Sequence, residues 1–89
     1  MAWRVEISPG AERQLGKLDT QHAKRILKFL HERVSVAEDP RISGKALKGQ
    51  LGDYWRYRVG KYRIVCHIEN EALVVLVLRV GHRKNVYHA

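Results

Sequence analysis

Eighty-nine residues suffice for one domain, spanning residues 1–89, with a single modest core and no room for a second. Hydrophobic side chains form 45% of the chain and recur periodically, which excludes a disordered segment, and no apolar run approaches the ~20 residues of a membrane span. Seventeen Lys and Arg against nine Asp and Glu leave a formal charge of +8, the balance of a protein that meets a polyanion: nucleic acid, an anionic membrane or an acidic protein segment.

The surplus is uneven. Residues 1–44 carry eight basic and six acidic side chains, residues 45–89 nine and three. The same composition also fits a surface that merely keeps the protein soluble, so the placement of the charges has to decide. The N-terminus "MAWRVEISPG" lacks the apolar stretch and cleavage site of a signal peptide, and Cys66 alone makes no internal disulfide. The expected location is the cytoplasm.

In chain order, "WRVEI" alternates Trp3, Val5 and Ile7 with Arg4 and Glu6, the pattern of a half-buried strand. Ser8 then suits a helix cap and Pro9 the first helical position. Leu15 and Leu18 give a short apolar stripe before a second helix starts at Asp19 or Thr20. There Ala23, Ile26, Leu27, Leu30 and Val34 fall at helical spacing, and Pro40 predicts an end near Asp39. Lys24, Arg25, Lys28 and Arg33 read as a solvated face of this helix, and His22 and His31 as ordinary helix-surface residues. "RISGKALKGQLGD" reads as loop. From Tyr54 the period switches to two: Tyr54–Val59, Lys61–Glu69 and Ala72–Val80 are predicted strands. The last, "ALVVLVLRV", is apolar on both faces and should be central. Gly81 is expected to turn the chain into a short polar tail. The predicted fold is α+β: an N-terminal strand, a two-helix hairpin and a three-stranded antiparallel meander, with both helices on one face of the sheet.

With Gly60-Lys61 as a two-residue turn, glycine first being a type II′ preference, register follows. Val59 pairs with Tyr62, Arg58 with Arg63, Tyr57 with Ile64 and Arg56 with Val65. One face collects Trp55, Tyr57, Val59, Tyr62, Ile64, Cys66 and Ile68 as core; the other collects Arg56, Arg58, Arg63, Val65 and His67. Like charges directly opposite one another cost about 0.2–1 kcal/mol, so the placement implies an anion among them. Arginine, permanently charged and forked, suits phosphate. The alternative, that these side chains splay into solvent or pair with Glu69 or Glu71, sits poorly with their one-sided placement. The tail residues His82, Arg83, Lys84 and Tyr87 are expected near one end of the sheet, within reach of this face. Tyrosine, histidine and arginine beside a phosphate are the parts of a metal-free ribonuclease, which needs a base for the ribose 2′-OH, cations for the phosphorane and an acid for the 5′-oxygen.

Other chemistry finds little support. There is no phosphate-binding glycine loop and no nucleophile elbow. His82 and His88 have no carboxylate neighbours, so neither metal nor cofactor is expected. Cys66, Trp3 and Trp55 read as core.

"LKG" at 47–49, "YRIV" at 62–65 and "VGHRKNVY" at 80–87, with the preceding strand and helical hairpin, resemble the RelE/ParE toxin superfamily of toxin–antitoxin modules over nearly the whole chain. In that superfamily RelE-type members cleave messenger RNA in the ribosomal A site and ParE-type members poison DNA gyrase. The resemblance implies a ribosome-dependent endoribonuclease acting without metal. By position, Arg56 and Arg58 match the paired basic residues of its second strand, Arg63 its "YR" arginine, Arg83 its tail arginine and Tyr87 its terminal tyrosine, a set ParE-type members generally lack. Arg56 and Arg58 stand where relatives carry lysine, so they suit clamping of the RNA backbone more than proton transfer. Tyr87 is the expected base, Arg63 and Arg83 stabilise the phosphorane, and His82 is a rival acid or base. Lys45, Lys48, Lys84 and cations of the second helix are expected to touch RNA. The chain stops two residues after Tyr87, so a C-terminal helix of relatives is expected to be missing. The implied partners are the ribosome, mRNA and a small acidic antitoxin forming a hetero-oligomer with it, with no membrane. The rival functions are a gyrase poison and a non-catalytic nucleic-acid-binding module.

Overall fold

The computed structural model describes residues 3–47 and 54–82. Strand β1 (Arg4–Ile7) leads into helix α1 (Pro9–Gly16), entered as its sequence requires: the Ser8 hydroxyl accepts from the Ala11 amide at 3.1 Å, with Pro9 in the first turn. Helix α2 (Thr20–Phe29) continues into one π turn, Leu30–Val34. Its buried stripe is Ile26, Leu30 and Val34, while Leu27, expected on the same face, keeps 43% of its surface exposed.

The chain leaves this helix at Ser35, earlier than Pro40 predicts. Pro40 instead opens a 3₁₀ turn, Pro40–Ser43, whose cap is Asp39: its carboxylate accepts from the Arg41 amide at 3.0 Å. The segment read as loop then contributes an edge strand, β2 (Gly44–Ala46), paired antiparallel with β3 (Trp55–Val59). Gly44 is required there, because a Cβ would meet the Arg56 carbonyl oxygen and the Trp55 ring well inside contact distance. Strands β4 (Tyr62–Glu69) and β5 (Val74–His82) complete the sheet.

The five strands lie in the order β1-β5-β4-β3-β2, with β1 parallel to β5 and the other pairs antiparallel. The apolar β5 is interior, as its composition predicts. The α+β architecture stands, with two features that periodicity did not show: the parallel partnership of β1 and the added edge strand. Gly60 takes a φ of +59° and Lys61 does not share it, as in a type II′ turn, and the β3–β4 register is the one the turn dictates.

Ala11 and Leu15 from α1, with Ile26, Leu30 and Val34, cover Tyr57, Val59, Ile64, Cys66, Val75, Val77 and Val80 on one face of the sheet. Trp3 closes one end of this core and donates from Nε1 to the Glu38 carbonyl at 3.3 Å. Burial pushes the Cys66 thiol up, which keeps it neutral and unreactive. It also pushes the Tyr57 phenol up, so the hydroxyl stays protonated and donates to the Pro40 carbonyl, tying the 3₁₀ turn to the core. Tyr57→Phe is expected to orphan that carbonyl and lower stability by about 1–3 kcal/mol in urea denaturation. An unchanged midpoint would show the bond to be dispensable.

Candidate nucleic-acid interface

The two strand pairings across β3 and β4 build the site. Arg58 lies directly opposite Arg63, and Arg56 opposite Val65. Pairing continues outward on both sides. Lys45 of β2 is opposite Arg56, so this expected RNA contact joins the same face. On β5, Arg79 is opposite Val65 and Gly81 opposite Arg63. The face away from the helices therefore presents one row of Lys45, Arg56, Val65 and Arg79, and a second of Arg58, Arg63 and Gly81.

Arg79 was not among the residues the sequence pointed to, and the reason is a β-bulge. Pairing runs Tyr62 with His82 through Val65 with Arg79, then resumes one residue out of step at Cys66 with Val77, leaving Leu78 as the extra residue. Counted back from the β4–β5 turn without the bulge, Arg79 would face the core. The bulge turns it out, and lets Val77 and Val80, three residues apart, both point inward and be buried. Its backbone is held from the other side. Beyond the end of β1, the Ser8 hydroxyl donates to the Leu78 carbonyl at 3.3 Å, and the Val80 amide donates to Gln14 Oε1 at 2.7 Å.

Gly81 does not turn the chain. β5 runs on to His82, and this corrects the expected placement of the histidine. Paired with Tyr62, His82 shares the helix-covered face, on the other side of the sheet from Arg58 and Arg63. Its ring stands 6.2 Å from Tyr62, which in turn lies 5.2 Å from His22. These three rings, with Arg25 and Lys61, line a pocket of about 540 Å³ between α2 and the hairpin turn. Arg25 and His22 are exposed, as the sequence predicts for this helix face, and border the pocket. The Arg25 guanidinium lies against Gly60, where a Cβ would come within 3.3 Å of it, and a neighbouring groove joins it to Lys28, Arg33 and Arg58.

Arg63 retains only 6% exposure, with Nη1 donating to the Tyr62 carbonyl at 3.4 Å. Glu69, a candidate partner for the arginines, is engaged by His67 at 2.7 Å, and Tyr54 stands edge-on to that imidazole at 6.0 Å. Among the described residues, neither Arg56 nor Arg58 has a carboxylate within ion-pair distance. A depression of about 270 Å³ lined by Ser43, Lys45, Arg56 and Arg58 opens beside them. Among the described residues no group of His, Cys, Asp and Glu is arranged to hold a metal ion, and no helix is long and apolar enough to cross a membrane. Lys48, Arg83, Lys84 and Tyr87 lie outside the described residues.

Residues 5–87 match the family model described as the ParE toxin of the type II toxin–antitoxin system parDE. The chain is 31% identical over 87 residues to the toxin RelG of Mycobacterium tuberculosis, covering 98% of each. It is 32% identical to the mRNA interferase toxin RelE of Escherichia coli, covering 94% of this chain and 86% of that protein. Its fold is similar to the M. tuberculosis toxin–antitoxin complex RelBE2, with a TM-score of 0.85 at 29% identity, covering 96% of this chain and 95% of that one. Against a chain of the intact E. coli RelBE complex the TM-score is 0.74 at 28% identity, covering 91% and 96%.

If Arg58 and Arg63 repel as placed, Arg58→Gln should raise stability by about 0.2–1 kcal/mol at low ionic strength, and the gain should fade with added salt. Added inorganic phosphate should raise the melting temperature of the wild type more than that of the variant. A less stable variant would mean that the two guanidinium groups do not oppose each other energetically.

Proposed function

The chain belongs to the RelE/ParE superfamily of type II toxin–antitoxin toxins, and from that membership and its arginine face we propose that it is a ribosome-dependent endoribonuclease that cleaves mRNA in the A site. The observation that carries this reading is the Arg58–Arg63 pair, opposed on the face the helices leave open and flanked by Arg56. Such a pair suits a dianionic phosphorane better than a singly charged diester, which is the differential binding that speeds a reaction.

The reaction is an in-line displacement. The ribose 2′-oxygen attacks the adjacent phosphorus as its proton passes to a base, and the bond from phosphorus to the 5′-oxygen breaks as that oxygen takes a proton. The products are a 2′,3′-cyclic phosphate and a 5′-hydroxyl. Tyr87 is the base, the role its match to the terminal tyrosine of RelE-type toxins assigns it. Arg63 and Arg83 stabilise the phosphorane, Arg56 and Arg58 hold the backbone with Arg58 also facing the phosphorane from opposite Arg63, and Lys45, Lys48 and Lys84 extend the contact. His82, on the opposite face beside Tyr62, is left out of the chemistry. The buried Tyr57, its phenol pushed up, is no candidate base. Cleavage of naked RNA should be feeble, because the ribosome supplies the orientation of the substrate.

A cognate antitoxin with an acidic, amphipathic segment is the proposed inhibitor; the similar M. tuberculosis and E. coli structures are toxin–antitoxin complexes, which supports an antitoxin partner. Gyrase poisoning is the second reading, favoured by the ParE description of the matching family model.

Purified protein added to a translation extract should produce mRNA ends clustered within codons, while gyrase supercoiling run in parallel should be unaffected. Inhibited supercoiling with intact mRNA would select the gyrase reading. Tyr87→Phe keeps the ring and removes the hydroxyl, and should slow cleavage on the ribosome by about 10²–10⁴-fold with thermal stability preserved. Near-normal cleavage by that variant would move the base elsewhere.

A further inference from the structure

The bulge at Leu78 places a fourth strand's cation in line with the others, and the line runs across the sheet. Lys45, Arg56, Val65 and Arg79 are successive partners on β2, β3, β4 and β5. Neighbouring strands are about 4.7–4.9 Å apart, so Lys45 and Arg79 mark the ends of a track roughly 14 Å long. That length takes more than one phosphate of an extended backbone. At its β2 end lies the depression lined by Ser43, Lys45, Arg56 and Arg58; at its β5 end stands Arg79. The parallel row, Arg58, Arg63 and Gly81, lies one step nearer the hairpin turn, and its β5 position carries no side chain. The second row therefore has no β5 side chain beside Arg63, while the first carries a cation on β2, β3 and β5, with Val65, 3% exposed, on β4 between them.

We propose that single-stranded RNA lies across the strands along the Lys45–Arg56–Val65–Arg79 row, and that Arg79 and Lys45 bind phosphates on either side of the one held between Arg58 and Arg63. This rests on the endoribonuclease reading and adds the path of the strand and a phosphate-binding residue on β5. The two rows divide the work. The first sets where the backbone lies, and the second, with its opposed guanidinium groups, meets the charge that grows during cleavage. An RNA running along the strands instead would pass from Arg63 over Val65 to the His67–Glu69 pair, where a carboxylate would repel it.

The test uses the purified protein and a fluorescently labelled single-stranded oligouridine, with affinity measured over a series of salt concentrations. On a single strand, each phosphate that a cation neutralises adds about 0.7 to the steepness of log affinity against log salt. Arg79→Gln and Lys45→Gln should each reduce the steepness by that amount, each weaken binding on the order of tenfold at low salt, and combine additively. Arg79→Lys should restore the slope. On the ribosome, Arg79→Gln should demand more protein for the same cleavage and leave the saturated rate near normal, whereas Arg63→Gln should lower the saturated rate. Melting temperatures should stay together. A wild-type slope and affinity in Arg79→Gln, alongside wild-type protein that cleaves on the ribosome, would overturn the path and leave the endoribonuclease reading intact. Wild-type protein that neither binds the oligomer nor cleaves would overturn both.

Discussion

A two-residue turn leaves a hairpin almost no freedom of register, and the division of this protein into a packed face and a cationic face follows from that restriction at Gly60-Lys61. Because side chains alternate along a strand, slipping β4 by one residue against β3 would take Ile64 off the face of Tyr57 and bring Arg63 onto it. Placing a guanidinium group among the apolar side chains of the core is far more costly than exposing an apolar one, so the register that makes a core also makes the arginine face. The cationic surface is the reverse side of the hydrophobic one, built by the same ladder.

The energetic balance favours this arrangement despite the repulsion it creates. Each large side chain buried in the core contributes about 1.5–3 kcal/mol, while an opposed like-charge pair costs about 0.2–1 kcal/mol. Tyr57, Ile64, Val75, Val77 and Val80 together outweigh Arg58 against Arg63 many times over. A small protein can thus hold opposed guanidinium groups with little effect on its stability. Under the proposed function the donors are in place before a phosphate arrives, so little of their reorganisation opposes binding.

The bulge in β5 solves a problem of the same kind on the next strand. A strand that begins with Val75 and Val77 against the core would, by strict alternation, put Arg79 among them. One extra residue at Leu78 reverses the phase, and the backbone beside it is held from the β1 side of the strand. Ser8 and Gln14, at the cap and within α1, bond the Leu78 carbonyl and the Val80 amide. Helix α1 is therefore part of what positions a cation on the opposite face, a dependence of site on scaffold that passes through the sheet.

How much of this was legible in the chain depends on how local each cause is. The helix cap at Ser8, the hairpin register, the core face of β3 and β4 and the opposed arginines follow from turn length and a period of two, which neighbouring residues carry by themselves; the motifs around them carried the family. The edge strand β2 hid in a glycine-containing stretch because three residues show no period, and it exists only because β3 offers it a partner. Pro40 marked a break correctly, but whether it ended one helix or opened a 3₁₀ turn depended on the Tyr57 hydroxyl reaching its carbonyl. The side on which Arg79 and His82 emerge was undetermined for a related reason. "ALVVLVLRV" is apolar at nearly every position, so its pattern carries no phase, and the phase was decided by packing against β1, α1 and β4. Sequence by itself determined that Arg58 and Arg63 would stand opposite each other on the face away from the core; only the tertiary structure, through one extra residue at Leu78, decided that Arg79 joins that face and His82 does not.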